Sequence, residues 1–202
     1  MSGSEISKIE RMREVCDALL HFTQSPLYEY RTHNNYFPVI GEGSHDAHIM
    51  FIGEAPGKNE AKTGKPFCGA AGKILDELLA HIGLDRSTVY VTNIVKDRPP
   101  ENRDPTPQEI ELYGPFLDRQ IEILQPKVIA TLGRFSMAYV MGRLGLQNQI
   151  EPISKAHGKR YTASVPYGPV DIVPLYHPAS ALYSRALLPT HKTDIEILKT
   201  YL

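Results

Sequence analysis

The sequence predicts an α/β domain with a mostly parallel central sheet. Short apolar runs of strand length alternate along the chain with longer segments whose apolar residues recur at helical spacing. Glycine or proline marks many of the junctions between them. Strands that alternate with helices favour parallel pairing, because each helix returns the chain to the same end of the sheet. The length of 202 residues suits one domain, which we expect to span 1–202.

The first half of the chain predicts two helices and two strands. They are an amphipathic helix at 4–22 capped by Ser4, a strand at 47–53, a helix at 69–82 that ends at Gly83, and a strand at 89–95. The first helix aligns six apolar residues along one stripe, namely Ile6, Ile9, Met12, Cys16, Leu19 and Leu20. Residues 23–46 are polar and rich in Tyr, His, Asn and Gly, which predicts an irregular excursion of open role.

The second half predicts three strands and further helices. Thr106-Pro107-Gln108-Glu109 combines a capping box with proline at the first helical position, so a helix is expected from Pro107 to about Leu124. A strand at 127–132 and a helix at 134–141 follow. Residues 159–165 and 170–176 predict two more strands separated by a turn at 167–169, and short helices are expected around 178–187 and 191–202.

Composition limits the class of protein. Apolar residues make up 42% and charged residues 22%, which is typical of a folded chain and excludes wholesale disorder. No apolar run approaches the ~20 residues that span a bilayer, and the N-terminus lacks an apolar signal core. We therefore expect a cytoplasmic protein. Two cysteines, Cys16 and Cys68, are too few for a disulfide framework or a four-thiolate metal site.

Charge is distributed unevenly along the chain. Residues 1–122 carry 13 Lys and Arg against 19 Asp and Glu, a net charge of −6. Residues 123–202 carry 9 against 4, a net charge of +5. The overall charge of −1 therefore does not exclude a nucleic-acid partner, since the local potential decides such contacts.

Three polar residues follow predicted strands, where the binding site of an α/β sheet forms. Glu54 follows the first strand, Asn93 ends the second, and His177 follows the last. Each of them alone is an ordinary turn or loop residue. Their joint position, next to glycine-rich stretches at 53–57 and 64–72 that allow close approach of the backbone, indicates a ligand site.

These segments resemble the uracil-DNA glycosylase superfamily, and most closely its family four, the thermophile-type enzymes. The resemblance extends over about 47–188 and is carried by Gly53-Glu54-Ala55-Pro56-Gly57, Thr63-Gly64-Lys65-Pro66-Phe67-Cys68-Gly69-Ala70-Ala71-Gly72, Val91-Thr92-Asn93-Ile94-Val95-Lys96, Arg98-Pro99-Pro100-Glu101-Asn102-Arg103, Ala130-Thr131-Leu132-Gly133 and His177-Pro178-Ala179. It implies a single three-layer α/β/α domain with a central four-stranded, mostly parallel sheet.

The resemblance implies a DNA-repair hydrolase. Such an enzyme rotates uracil out of DNA and hydrolyses its N-glycosidic bond without a Schiff-base lysine, leaving an abasic site. Two alternatives stay open at this stage. One is a glycosylase for another deaminated base, hypoxanthine or xanthine, and the other is a non-catalytic lesion-binding domain.

By similarity, Phe67 stacks on the extruded base. The amide of Asn93 contacts N3–H and O4 of uracil, because one carboxamide offers both an acceptor and a donor. His177 donates to O2, where negative charge grows as the bond breaks.

Three further residues receive roles from the resemblance. Glu54 interacts with the attacking water or with the oxocarbenium charge of the sugar. A backbone N–H around Ala55 holds the base, and Glu60 crowds its C5 edge, which excludes the methyl group of thymine.

The implied partner is DNA, bound by a monomeric, nucleoid-associated protein with no membrane contact. The residues expected to contact DNA lie in two loops and are Pro99, Pro100, Ser180, Ala181, Leu182, Tyr183 and Arg185. Ala181 occupies the position where the family often has a leucine wedge, so the wedge of this chain is undetermined. Candidates for phosphate contacts are Lys155, Lys159, Arg160, Arg185, His191 and Lys192.

Family four typically carries a [4Fe–4S] cluster on four cysteines. The corresponding positions here are Phe22, Ser25, Asp97 and Tyr113. None is a thiol, and cluster ligation needs thiolate or occasionally histidine, so we expect no cofactor and no metal. Apolar packing through Phe22 and Tyr113 is expected in its place.

Overall fold

A mixed six-stranded sheet with helices on both faces forms the centre of the computed structural model, which describes residues 7–202. The strands are β1 (Glu42–Gly43), β2 (Ile49–Gly53), β3 (Tyr90–Asn93), β4 (Val128–Leu132), β5 (Tyr161–Val165) and β6 (Gly168–Leu175). Their order across the sheet is β1-β3-β2-β4-β6-β5.

The four central strands, β3-β2-β4-β6, are all parallel, whereas both edge strands are antiparallel to their neighbours. The expected count of four strands is therefore wrong, although the α/β class and the mostly parallel centre are confirmed. Strand β5 was foreseen as a strand, and it folds back on β6 through a tight turn. Strand β1 has only two residues, too few to show any alternation in the sequence.

Residues 7–202 contain nine α-helices. They are α1 (Lys8–Leu20), α2 (Tyr28–His33), α3 (Lys58–Thr63), α4 (Ala70–His81), α5 (Pro107–Leu124), α6 (Arg134–Arg143), α7 (Ile153–Ala156), α8 (Ser180–Tyr183) and α9 (Leu188–Ile195). Short 3-10 turns lie at 86–88, 100–102, 147–149, 185–187 and 196–201. No helix within residues 7–202 has the length and apolar character needed to cross a membrane.

Side chains of the central strands alternate between two apolar layers, as the pleat requires. On one face, Met50 and Ile52 pack against residues of α1, α5 and α6. On the other face, Ile49 and Phe51 pack against α4, α8 and α9. The sheet is therefore buried on both sides, which gives the predicted three layers.

The first helix is shorter than predicted and buries a narrower stripe. It begins after Ser7, whose hydroxyl accepts from the Glu10 N–H while the Glu10 carboxylate accepts from the Ser7 N–H. Ser4, the expected cap, lies outside the described residues. The stripe buries Met12, Val15 and Leu19. Two residues assigned to it are exposed instead, since Ile9 and Leu20 lie at its borders.

Residues 23–46, expected to be irregular, contain α2 and β1, and α3 lies between the two glycine-rich stretches at 53–57 and 64–72. These elements are too short for a periodic apolar pattern, which needs a longer window. Helix α5, in contrast, has the predicted bounds because Thr106 and Glu109 form the capping box read from the sequence.

Candidate functional site

The carboxyl ends of the parallel strands meet at one edge of the sheet. Gly53 at the end of β2 pairs with Asn93 at the end of β3. After β2 the chain crosses one face through α4, and after β3 it crosses the other face through α5, so the connections diverge beside β2. A crevice forms at such a point in α/β sheets.

A cavity of about 410 Å³ opens there, within the size range of small-molecule sites. We call it the base cavity. The six residues predicted to act on the base all line it: Glu54, Ala55, Glu60, Phe67, Asn93 and His177. Its other lining residues are Gly57, Lys58, Asn59, Gly69, Ala70, Ala71, Asn102, Ala179 and Tyr183.

Asn93 contributes an amide that is buried yet unpaired. Its side chain is 2% exposed, and its Oδ1 has no hydrogen-bond partner among the described residues. A buried amide oxygen without a partner costs free energy, typically about 1–3 kcal/mol. Such an acceptor beside a cavity is suited to a ligand that brings its own N–H donor.

Phe67 forms one wall of the base cavity, next to Asn93. A Cβ atom on Gly53 would lie 2.4 Å from Asn93 Oδ1 and 2.6 Å from Phe67 Cζ, so the missing side chain lets both groups approach β2. Phe67 itself has a φ of 47°, a left-handed conformation that is rare for an aromatic residue. A Cβ on Gly72 would lie 1.7 Å from the Phe67 carbonyl oxygen, so this turn depends on glycine.

His177 faces Phe67, with ring centroids 5.8 Å apart. Its Nδ1 accepts from the Ala179 N–H at 3.2 Å, which places the proton of the neutral ring on Nε2. Burial, together with the neighbouring His191, lowers the pKa of His177 to about 4. At pH 7 the imidazole is therefore neutral and offers an N–H donor.

Glu54 is the half-buried carboxyl group of the base cavity. Burial raises its pKa to about 7, the charge of Asp104 raises it too, and Arg134 lowers it. Arg134 and Asp104 form an ion pair with each other at 2.5 Å. The group therefore exists in both protonation states near neutral pH.

Glu60 lies in the first turn of α3. Its Oε1 accepts from the Gly69 N–H at 2.8 Å, which fixes the carboxylate against the glycine-rich turn. This contact joins α3 to the turn that carries Phe67.

Lys96 is a site residue that the sequence did not reveal. It is fully buried, and its Nζ donates to the main-chain oxygen of Asn93 at 2.6 Å, Gln120 Oε1 at 2.6 Å and Thr92 Oγ1 at 2.8 Å. Burial lowers its pKa well below the ordinary lysine value. The motif containing Lys96 was visible, but an isolated lysine in a sequence normally indicates a solvated surface.

The loop residues predicted to contact DNA divide into exposed and buried ones. Leu182 and Tyr183 are exposed, Tyr183 by 92%, and Arg185 is exposed as well. Ala181 is fully buried under α4, and Pro99 is also buried, so the structure gives neither side chain a surface for DNA. Pro100 and Ser180 are half-buried.

Several of the candidate phosphate contacts are engaged elsewhere. Lys159 pairs with Glu151 at 2.6 Å, and Lys192 pairs with Glu77 at 2.8 Å. His191 is buried and contacts the Ser180 hydroxyl.

The four positions that correspond to cluster ligands converge on Tyr113. Its hydroxyl lies 2.5 Å from Asp97 Oδ2 and 2.7 Å from Ser25 Oγ, and its ring is 5.6 Å from the ring of Phe22. Asp97 also pairs with Arg31. We expected apolar packing at these positions. Phe22 does pack against Tyr113, but the centre of the group is a polar network. Within residues 7–202 no three His, Cys, Asp or Glu side chains are grouped so as to hold a metal ion.

Comparison with known proteins identifies one family. The model of the "Uracil DNA glycosylase superfamily" matches residues 40–198. The chain is 41% identical over 192 residues to the Type-4 uracil-DNA glycosylase of Sulfurisphaera tokodaii, covering 95% of this chain and 84% of that protein. It is 44% identical over 167 residues to the Type-4 uracil-DNA glycosylase of Archaeoglobus fulgidus, covering 83% and 82%. A Type-5 uracil-DNA glycosylase of Thermus thermophilus is 32% identical over 139 residues, 61% of this chain and 62% of that protein.

Proposed function

Because this chain belongs to the uracil-DNA glycosylase superfamily, we propose that it rotates uracil out of DNA into the base cavity and hydrolyses its N-glycosidic bond. The products are free uracil and an abasic site. The observation that carries the proposal is that an unpartnered amide oxygen on Asn93 and an N–H donor on His177 line the same cavity.

Asn93 is the residue that distinguishes uracil from cytosine in this proposal. Its free Oδ1 accepts from N3–H of uracil, and its Nδ2 donates to O4. Cytosine reverses both groups, so its binding leaves polar atoms unpaired in a buried site. Phe67 provides the face on which the ring stacks.

His177 stabilises the departing base. When the bond from C1′ to N1 breaks, the electron pair passes to the uracil ring and charge collects on O2. A neutral Nε2–H donor aimed at such charge contributes about 3–4 kcal/mol in comparable sites. The lowered pKa of His177 keeps the ring neutral, so it donates a hydrogen bond without transferring a proton.

Glu54 acts on the sugar side of the bond. As a carboxylate it orients the attacking water and stabilises the positive charge that develops on the sugar ring. The water oxygen bonds to C1′, and the released proton balances the charge of the uracil anion. The pKa of about 7 means that this carboxylate is only partly formed at neutral pH.

Tyr183 is the wedge that fills the space left by the rotated base. It lines the rim of the base cavity, and its side chain is 92% exposed although it is aromatic. A large apolar group held in solvent next to a base-binding cavity is suited to insertion between base pairs. Leu182 on the same helix, α8, and Arg185 shortly after it are exposed as well.

The chain works without an iron–sulfur cluster in this proposal. At the four positions implied by the resemblance, Phe22 has no donor atom, and Ser25 and Tyr113 offer hydroxyls that bond to each other. Asp97 is already paired with Arg31. This donor set does not fit a cluster, which takes thiolates.

The test is base release from a uracil-containing oligonucleotide, followed by alkaline cleavage of abasic sites. We expect cleavage at uracil and none in the same oligonucleotide carrying thymine. Asn93→Ala and His177→Ala are expected to lower kcat by about 10²–10³-fold, whereas Asn148→Ala, at an exposed site outside the cavity, leaves it unchanged. A folded wild-type protein that releases no uracil contradicts the proposal.

The same assay tests the two alternative functions, a glycosylase for another deaminated base and a non-catalytic lesion-binding domain. Oligonucleotides with hypoxanthine or xanthine measure the range of bases, and we expect uracil to be released fastest. Binding of uracil-containing DNA without base release identifies a non-catalytic lesion-binding domain. We also propose that the protein is a monomer and associates with the nucleoid. Size-exclusion chromatography measures its oligomeric state.

A further inference from the structure

A buried ion pair joins the segment after α1 to the loop after β3. Arg31 on α2 and Asp97 are 6% and 0% exposed, and Arg31 Nη1 lies 3.3 Å and 3.2 Å from the two carboxylate oxygens. Arg31 also donates to the Leu20 carbonyl oxygen at 3.2 Å. Burying two charges is costly, and such pairs are in some proteins retained because they specify one conformation.

Tyr113 on α5 completes this arrangement. Its single hydroxyl proton goes to the Asp97 carboxylate, and its oxygen accepts from the Ser25 hydroxyl. Ser25 Oγ in turn accepts from the Leu27 N–H at 3.0 Å. We call Ser25, Arg31, Asp97 and Tyr113 the Tyr113 network. Its members come from three separate parts of the chain, so it fixes those parts relative to one another.

The residue after Asp97 extends the contacts toward the base cavity. Arg98 donates to the hydroxyls of Tyr30 at 3.0 Å and Tyr36 at 3.2 Å, both in the segment that carries Arg31. On its other side, Arg98 Nε donates to Asn102 Oδ1 at 2.7 Å. Asn102 lines the base cavity, so a continuous set of contacts connects the Tyr113 network to the cavity wall.

The loop held in this way, residues 98–102, has a backbone that needs support. Glu101 and Asn102 have φ values of 56° and 55°, a conformation that non-glycine residues rarely adopt. Conformations of this kind persist when surrounding contacts determine them. The Arg98 side chain supplies such contacts on one side of the loop, and the Tyr113 network fixes the residue that precedes it.

We propose that the Tyr113 network, together with Tyr30 and Tyr36, holds the 98–102 loop in the conformation that binds DNA, so that Arg31, Asp97 and Tyr113 are positioning residues for substrate binding. This inference rests on the proposed function. It assigns a role to residues 23–46 and to the four positions that do not fit a cluster. The network acts on DNA affinity and leaves Asn93 and His177 in place for the chemical step.

The test compares Tyr113→Phe with Tyr139→Phe under single-turnover conditions. Tyr113→Phe removes one hydroxyl and keeps the ring packed against Phe22 and Phe116. Tyr139→Phe removes a similar hydrogen bond, to Asp118 at 2.9 Å, from a tyrosine on α6 that is not part of the network. For Tyr113→Phe we expect the enzyme concentration at half-maximal rate to rise about tenfold, with the maximal rate within about twofold of wild type. Tyr139→Phe is expected to change neither.

Hydrogen–deuterium exchange gives a second readout that needs no activity. Amides of 98–103 are expected to exchange faster in Tyr113→Phe than in Tyr139→Phe. The same amides are expected to exchange more slowly in Arg31→Lys, which keeps the charge, than in Arg31→Met. If wild type releases no uracil, the proposed function fails, and loop exchange still tests the network. Unchanged DNA affinity together with unchanged exchange in the loop overturns the inference, as does a loss of maximal rate at unchanged affinity.

Discussion

At the scale of single residues, the base cavity combines a polar atom that has no hydrogen-bond partner with a neighbouring group that makes several hydrogen bonds. Asn93 keeps a free amide oxygen at the end of β3. Directly behind it, Lys96 meets three strong acceptors and holds the main chain of Asn93. A satisfied network next to an unsatisfied atom keeps the amide fixed while leaving it available to a ligand.

Glu54 makes activity dependent on pH near neutrality. The carboxylate form is required, so kcat/KM of the wild type is expected to fall as the pH drops below about 7, the pKa of this group in the free enzyme. Arg134→Gln removes the cation that lowers this pKa, so the decline is expected to begin at higher pH. Initial rates at substrate concentrations well below KM, measured from pH 5 to 9, provide the profile.

The matched control for that experiment is Arg143→Gln. Arg143 lies on the same helix as Arg134 and also pairs with an aspartate, Asp118, but it has no part in the titration of Glu54. It is expected to leave the profile in place. An unchanged profile in Glu54→Gln contradicts the role given to the carboxylate.

The sequence predicted the site residues from places where strand ends and motifs coincide, and their roles stay predictions. Glu54, Asn93, Phe67 and His177 line one cavity because parallel strands bring their carboxyl ends together. Lys96 was missed because its burial depends on distant partners as well as on β3. Gln120 on α5 and the Ile40 carbonyl before β1 lie 24 and 56 residues away along the chain.

At the scale of elements, the close packing of β2 against the cavity walls depends on Gly53. A methyl group there meets Asn93 Oδ1 and Phe67 Cζ at 2.4 and 2.6 Å, so Gly53→Ala must displace the amide, the ring or both. We expect about a 10²-fold loss of kcat/KM in the uracil release assay, since such displacements remove groups from their productive positions.

Gly142→Ala provides the comparison. Gly142 lies within α6, and no atom lies within 4 Å of the Cβ that would be added. Activity is expected to be unchanged, and the free energy of unfolding to rise by up to about 1 kcal/mol because alanine favours the helix. Full activity of Gly53→Ala contradicts the prediction, because it shows that Asn93 and Phe67 can move aside without loss of function.

Elements were predictable in proportion to their length and their local signals. Helix α5 was placed at its observed bounds because its capping box and Pro107 are encoded within four residues. Helices α2 and α3 and strand β1 were missed, since each has six residues or fewer and is held by distant contacts. Arg31, on α2, is an example, because its partner Asp97 lies 66 residues away.

At the scale of the whole molecule, the Tyr113 network joins three parts of the chain through side-chain hydrogen bonds and an ion pair, which predicts a protein free of iron. Protein produced in iron-replete medium and purified without oxygen is expected to contain no iron and to show no visible absorption band. Chelators and mild oxidants are expected to leave its melting temperature unchanged, measured by circular dichroism, because no bond of the network involves a metal. Stoichiometric iron in the purified protein, or melting on chelation, contradicts this prediction.

The overall architecture was likewise predictable from the sequence only in part. The three layers follow from the alternation of strands and helices, and β5 was predicted as well, whereas the edge strand β1 has too few residues to give a sequence signal. The polar character of the Tyr113 network was also hidden, because Phe22 and Tyr113 alone suggest apolar packing.

Every group in the Tyr113 network is supplied by the polypeptide itself, and this has a consequence for how the enzyme matures. Folding of the polypeptide by itself therefore forms the contacts among Arg31, Asp97 and Tyr113.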